Sequence, residues 1–189
     1  LTRPELTRGT AHGHGSLDGN TPLKVLHLSD RASARGGADW HLISIIDALA
    51  SNHEQVLAVG RDDGTAEFAC PIEIVHGLDD MKGGAHADDL DTLCERLAPD
   101  IVHIHNAIGP DTLHWGATHG ALATVHDHRS FCPGRGKLTL AGVPCNTPMS
   151  DQACAACFDN IDYGQKVTRR AQRCRDALAA MPKLTVVSR

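Results

Sequence analysis

The chain has 189 residues, a length that suits one domain with a sizeable core, or one domain carrying an insertion. Apolar residues make up 41% and charged residues 22%, the balance of a water-soluble globule; with aromatics at 3%, the core must be packed from Leu, Val, Ile and Ala. The net charge of −5, without a basic block or interleaved aromatics, argues against nucleic acid as a partner, and no apolar run approaches the ~20 residues that span a bilayer.

Residues 1–22 are polar and glycine-rich, with His12 and His14 in AHGHG, and are expected to form a flexible leader because they have little to bury. The fold is expected to begin at Leu23. The run LKVLHLS reads as a first strand and ends in the polar SDRASARGG. From Ala38 a helical spacing follows through Leu42, Ile45, Ile46 and Leu49. Gln55 to Val59 and Ile72 to Val75 read as strands. Asp88 to Leu97 reads as a helix with Leu90, Leu93 and Leu97 on one stripe. A strand over Ile101 to His105, a helix over Asp111 to His119 and a strand over Leu122 to Val125 come next. Cys132 to Cys157 has neither period and is expected to be an inserted cysteine-rich loop. Tyr163 to Met181 is helical again, and Leu184 to Val187 makes a last strand. Strands alternating with helices at this spacing specify an α/β fold, a Rossmann-like parallel sheet with helices on both faces.

Ligands of such sheets bind at the carboxyl ends of the strands, and three stretches place reactive side chains there. Gly36-Gly37 separates the first strand from the first long helix, where the backbone can approach a ligand and a helix N-terminus can offer N–H groups to an anion. The dinucleotide fingerprint GxGxxG is absent, and a simple tight turn is the competing reading. His103 and His105 alternate along a strand and so face one side. His103 suits a hydrogen-bonded core position, whereas His105 and Asn106 fall at the ligand-bearing end. The strand ending at Val125 stops at His126-Asp127-His128. There a histidine can donate a hydrogen bond and a carboxylate can accept a proton. His128 could join either the cleft or the cysteines.

Cys132, Cys145, Cys154 and Cys157 have the spacing C-x12-C-x8-C-x2-C, in a segment with few large apolar residues to hold it. Four thiolates around a tetrahedral zinc would fix that loop, and the Cys154-x-x-Cys157 knuckle suits the geometry. Four thiolates close the coordination sphere, so the metal would be structural. Thiols, a disulfide pair and an iron–sulfur cluster are the other readings. Cys70, Cys94 and Cys174 stand alone and are expected to be buried or inert. With no signal-peptide pattern opening the chain, a cytoplasmic location is expected, where cysteines serve as thiols or metal ligands more than as structural disulfides.

The stretches KVLHLSD (24–30), GGADWHLISIIDALA (36–50), PDIVHIHN (99–106), ATVHDHRSFCP (123–133) and KLTVVSR (183–189), in this order and spacing, resemble the N-terminal, acceptor-side half of family 4 retaining glycosyltransferases with the GT-B fold. The cysteine loop resembles one found in a subset of that family after the HD motif. The resemblance implies a sugar moved from a nucleoside-diphosphate sugar to an acceptor hydroxyl in polysaccharide or glycolipid synthesis. It implies that Gly36 and Gly37 lie near the donor diphosphate and the acceptor. His126 would contact the donor sugar, with Asp127 on the acceptor side, and His105 and Asn106 would belong to the acceptor cleft. No protein nucleophile is implied. The family commonly has Glu-Arg after GGA, where this chain has Asp39-Trp40. The family's second, C-terminal domain, which binds most of the donor, has no counterpart here, so this chain alone is expected to be inactive. The implied partners are a sugar or glycolipid acceptor, that C-terminal domain and, peripherally, a membrane surface.

Two other readings of the same residues stand beside this one. A metal-dependent hydrolase could use His103, His105 and His126, with Asp127 and His128. A non-catalytic module could bind a sugar or a partner through the cleft and the cysteine loop.

Overall fold

A computed structural model of the chain describes residues 21–106, 109–126 and 128–187. The expected leader, apart from its last residues, and Asp127 lie outside the described residues. The elements follow in the order β1 (Lys24–Ala32), α1 (Gly37–Leu49), β2 (Glu54–Asp62), β3 (Ile72–Ile74), α2 (Ala87–Leu97), β4 (Ile101–Ile104), α3 (Pro110–Thr118), β5 (Leu122–Val125), α4 (Asp151–Ala155), α5 (Ile161–Ala179) and β6 (Lys183–Val186). The six strands form one all-parallel sheet, as expected, and their order β3-β2-β1-β4-β5-β6 is that of a Rossmann-like fold.

The two faces are covered by different helices. Leu26 and Leu28 of β1, Val56 and Ala58 of β2, Ile104 and Ala123 pack with Leu90 and Leu93 of α2, Leu113 and Trp115 of α3, and Cys174 and Ala177 of α5. On the opposite face, Leu57 and Val59 pack with Leu42 and Ile46 of α1. Burial on both faces explains why β1 and β2 read as continuous apolar runs rather than alternating ones. β1 and β2 extend three residues beyond the apolar runs because Arg31 pairs with Arg61 and Ala32 with Asp62, and Ala32 is fully buried.

α2 ends at Ala98, held in the left-handed conformation at φ 46° just before Pro99. Within the expected loop, Cys154 lies on α4, a short helix capped by Ser150, whose Oγ accepts from the Ala153 N–H at 3.2 Å. That helix rests against α5 at Gly164, where a Cβ would come within 2.9 Å of Ala155 Cα, and Arg169 of α5 pairs with Asp151 at 2.8 Å. The segment is thus tied to the domain at its carboxyl side. β6 is an edge strand, and Leu184, Val186 and Val187 beside it are 46%, 62% and 45% exposed. No described helix is long and apolar enough to cross a membrane.

Candidate active site at the carboxyl ends of the strands

β1 and β4 are neighbours, and the helices that follow them lie on opposite faces, which opens a crevice beyond their carboxyl ends. β1 delivers the loop 33–36, β4 delivers His105 and Asn106, and β5 delivers His126. The residues expected to share a site are therefore brought to one edge.

The loop before α1 is held in place by its own polar groups. Thr65 Oγ1 accepts from the Ala34 N–H at 3.1 Å, and Ser33 Oγ from the Arg35 N–H at 3.3 Å. The buried carboxylate of Asp39 folds back over the helix start, accepting from Arg35 N–H at 3.1 Å and Gly36 N–H at 3.0 Å, with Arg31 Nη2 at 3.4 Å. Asp39 already takes the Arg35 and Gly36 donors and places a negative charge at the positive end of α1, so an anion there would meet the N–H groups of the helix's first turn beyond Gly36 against that charge. Gly36 is extended (φ −140°), so no turn demands glycine there. A Cβ on Gly37 would meet nothing within 4 Å, so the glycine leaves open space beside the crevice rather than relieving an internal clash.

Five histidines meet behind that loop. His27, His103 and His105 line one sheet face, with His103 and His105 ring centroids 3.8 Å apart. His41 reaches in from α1, its ring 4.9 Å from that of His126. A polar ladder runs under them. Gln55 Nε2 donates to the Ile46 carbonyl at 3.0 Å, which turns Gln55 Oε1 toward His27 Nε2 at 3.0 Å. His27 Nδ1 then lies 3.1 Å from His105 Nε2. On the other side His103 Nε2 is 2.7 Å from Thr124 Oγ1, itself 2.7 Å from Thr185 Oγ1. His103 is therefore held through Nε2 in the interior, as expected of a hydrogen-bonded core histidine.

Burial keeps the rings of His27, His103 and His105 uncharged. Desolvation, reinforced by the neighbouring imidazoles, pushes His103 down to about 3 and holds His105 well below the usual histidine value. Desolvation also lowers His27, against the hydrogen bond to Gln55.

Beside the histidines, an open cavity lies between β4, β5 and α5. Its apolar floor includes Ile104, Ala123 and Leu178, while His105, Asn106, His126, Arg129 and Arg170 supply polar groups. Asp30, at the end of β1, has its carboxyl pushed up by desolvation, against the opposing pull of Arg31 and Arg129. A carboxyl so perturbed at a crevice is a candidate for proton transfer.

The cysteines converge differently. Cys132, Cys145, Cys154 and Cys157 line one cavity, and no disulfide forms among the described cysteines. Desolvation and the three neighbouring thiols hold Cys157 above its usual value. Among the described residues, however, the groups whose ligand atoms come within 4.8 Å of one another are histidine groups, and the cysteines form none. His128 belongs to this side, its Nε2 3.2 Å from the Gly134 carbonyl and its ring against Gly136. Burial raises the thiols of Cys70 (to about 11), Cys94 and Cys174, in keeping with inert positions.

No protein-family model matches this sequence, and no curated protein matches it. The geometry adds His27, Asp30, His41, Arg129 and Arg170 to the residues read from sequence. His27 and His41 sit inside apolar periodic runs, where a lone histidine reads as core. Asp30, Arg129 and Arg170 had only ordinary surface signals.

Proposed function

We propose that the chain is the acceptor-side domain of a retaining glycosyltransferase with the GT-B arrangement. It would serve transfer of a sugar from a nucleoside-diphosphate sugar to a hydroxyl of a sugar or glycolipid acceptor, in the cytoplasm and with peripheral membrane contact. The observation that carries this reading is the crevice beyond the carboxyl ends of the strands, where His105, Asn106 and His126 line one cavity. His126 is assigned to the donor sugar, and His105 and Asn106 to the acceptor. Arg129 and Arg170 bring positive charge to the open cavity beside them. Catalysis would come from closure of a donor-binding domain over this edge and from preset electrostatics, with no protein nucleophile assigned. The four cysteines would hold a structural zinc that stiffens the loop beside the site.

The test is release of nucleoside diphosphate from a panel of nucleotide sugars by the whole gene product, with and without acceptor. Acceptor-dependent release that falls about 100-fold or more in His126→Ala is expected. Saturable sugar binding without turnover would instead identify a non-catalytic module, and turnover unchanged by His126→Ala would remove His126 from the reaction.

A further inference from the structure

We infer that His41, His105 and His126 form a binding site for a divalent transition-metal ion of the zinc class, with a further coordination position open to the crevice. This does not rest on the glycosyl-transfer reading, and with a metal bound both nitrogens of His105 would be engaged, leaving Asn106 to the acceptor. One ligand nitrogen from each of the three rings lies within 4.8 Å of the others. Bonds of 2.0–2.1 Å in a tetrahedron put nitrogens about 3.4 Å apart, so the rings need close by no more than ~1.4 Å. His41 and His126 are half-buried on an helix start and a strand end, where side chains can turn that far.

The hydrogen-bond ladder prepares His105 for this role. Gln55 is oriented by the Ile46 carbonyl, so its Oε1 must accept and His27 Nε2 must donate. His27 is fully buried and uncharged, which leaves its Nδ1 as an acceptor. His105 Nε2 therefore donates to it, and the His105 proton is committed there. His105 Nδ1 is then a bare lone pair, buried and with no hydrogen-bond partner, as is the buried Nδ1 of His41. Unsatisfied buried nitrogens are costly unless a ligand claims them. A ring whose other nitrogen donates to a fixed acceptor is the usual support of a metal-ligating histidine. The second close group, which joins His27 and His105 to His103, lacks these features: both nitrogens of His27 are engaged and His103 is bonded to Thr124.

The probe is cobalt(II) alone, added to the chelator-treated whole chain and followed in the visible and near-ultraviolet. Because the cysteines would also take cobalt, the histidine site is read in a Cys154→Ser/Cys157→Ser chain, where one equivalent is expected to give tetrahedral d–d bands without thiolate-to-metal charge transfer. In that background, affinity should fall more than about 100-fold in His41→Ala and about 10–100-fold in Gln55→Leu. His41 lies on a half-exposed helix turn, and circular dichroism of the metal-free variant checks its fold; His126→Asn gives the same reading if it does not fold. Absence of d–d bands in the cysteine-substituted chain, or cobalt that binds it equally well without His41, overturns the assignment.

Discussion

Acid should unfold this domain through its buried histidines, and the effect is large enough to measure. His103 sits near 6.5 when unfolded and about 3 when folded, so the folded state refuses a proton that the unfolded state accepts. A depressed folded value means that stability is fully present above about pH 6.5 and is lost as pH falls toward 3. At 1.36 kcal/mol per pH unit, His103 alone accounts for roughly 5 kcal/mol across that window and about 2 kcal/mol between pH 6.5 and pH 5. His27 and His105 are shifted in the same direction by the same desolvation and add to the loss. An ordinary domain has only about 5–15 kcal/mol of stability to lose, so the His103 contribution alone is a substantial share. Asp30, raised by burial, acts in the opposite sense only in the carboxylate range. The assay is urea unfolding in the presence of a chelator between about pH 7.5 and pH 5. His103→Asn, which keeps a donor for Thr124, should reduce the slope of stability against pH by about 1.4 kcal/mol per unit. Stability that is flat over this range, or a slope unchanged by His103→Asn, would refute the argument.

Asp39→Ala should cost about 3 kcal/mol, because it strands the Arg35 and Gly36 N–H groups and the Arg31 guanidinium; denaturant midpoints check it. Gly109→Ala should cost about 1–3 kcal/mol, since its Cβ would lie 2.4 Å from Gly84 Cα and 2.7 Å from the Asp80 carbonyl oxygen, backbone atoms that cannot swing away; a thermal melt reads the loss. Ala98→Gly should add about 1 kcal/mol by relieving the left-handed residue that ends α2, and a variant no more stable than the parent would contradict the cap assignment. If the cysteines hold zinc, the purified protein should carry metal that Cys157→Ser releases, measured by elemental analysis; an equal zinc content in that variant would place the metal elsewhere.

The sheet was legible because its strands are short apolar runs separated by amphipathic stripes. Leu42 with Ile46 and Leu90 with Leu93 carried the helices, and each packs where its period points. Strand ends were harder, since Arg31 and Asp62 are polar and join the ladder only because their partners are already aligned. The position of His105, Asn106 and His126 at one edge followed from each ending a strand of a parallel sheet. The histidine cluster did not. His27, His41 and His105 are 78 residues or fewer apart but belong to three elements, and only the register of β1 against β4 and the docking of α1 bring them together. The role of Asp39 was hidden for a similar reason: a helix-start acid reads as a surface charge until the preceding loop is seen to close over it.

β6 has a consequence for handling the protein. Its outer edge carries backbone donors and acceptors that no described strand takes up, and apolar side chains flank it. Such an edge is a template for any extended segment, including the same strand of another molecule. Concentrated preparations should therefore associate edge to edge, and a lysine at Val186 is the smallest change that would keep them apart while leaving the crevice, one strand and more away, untouched.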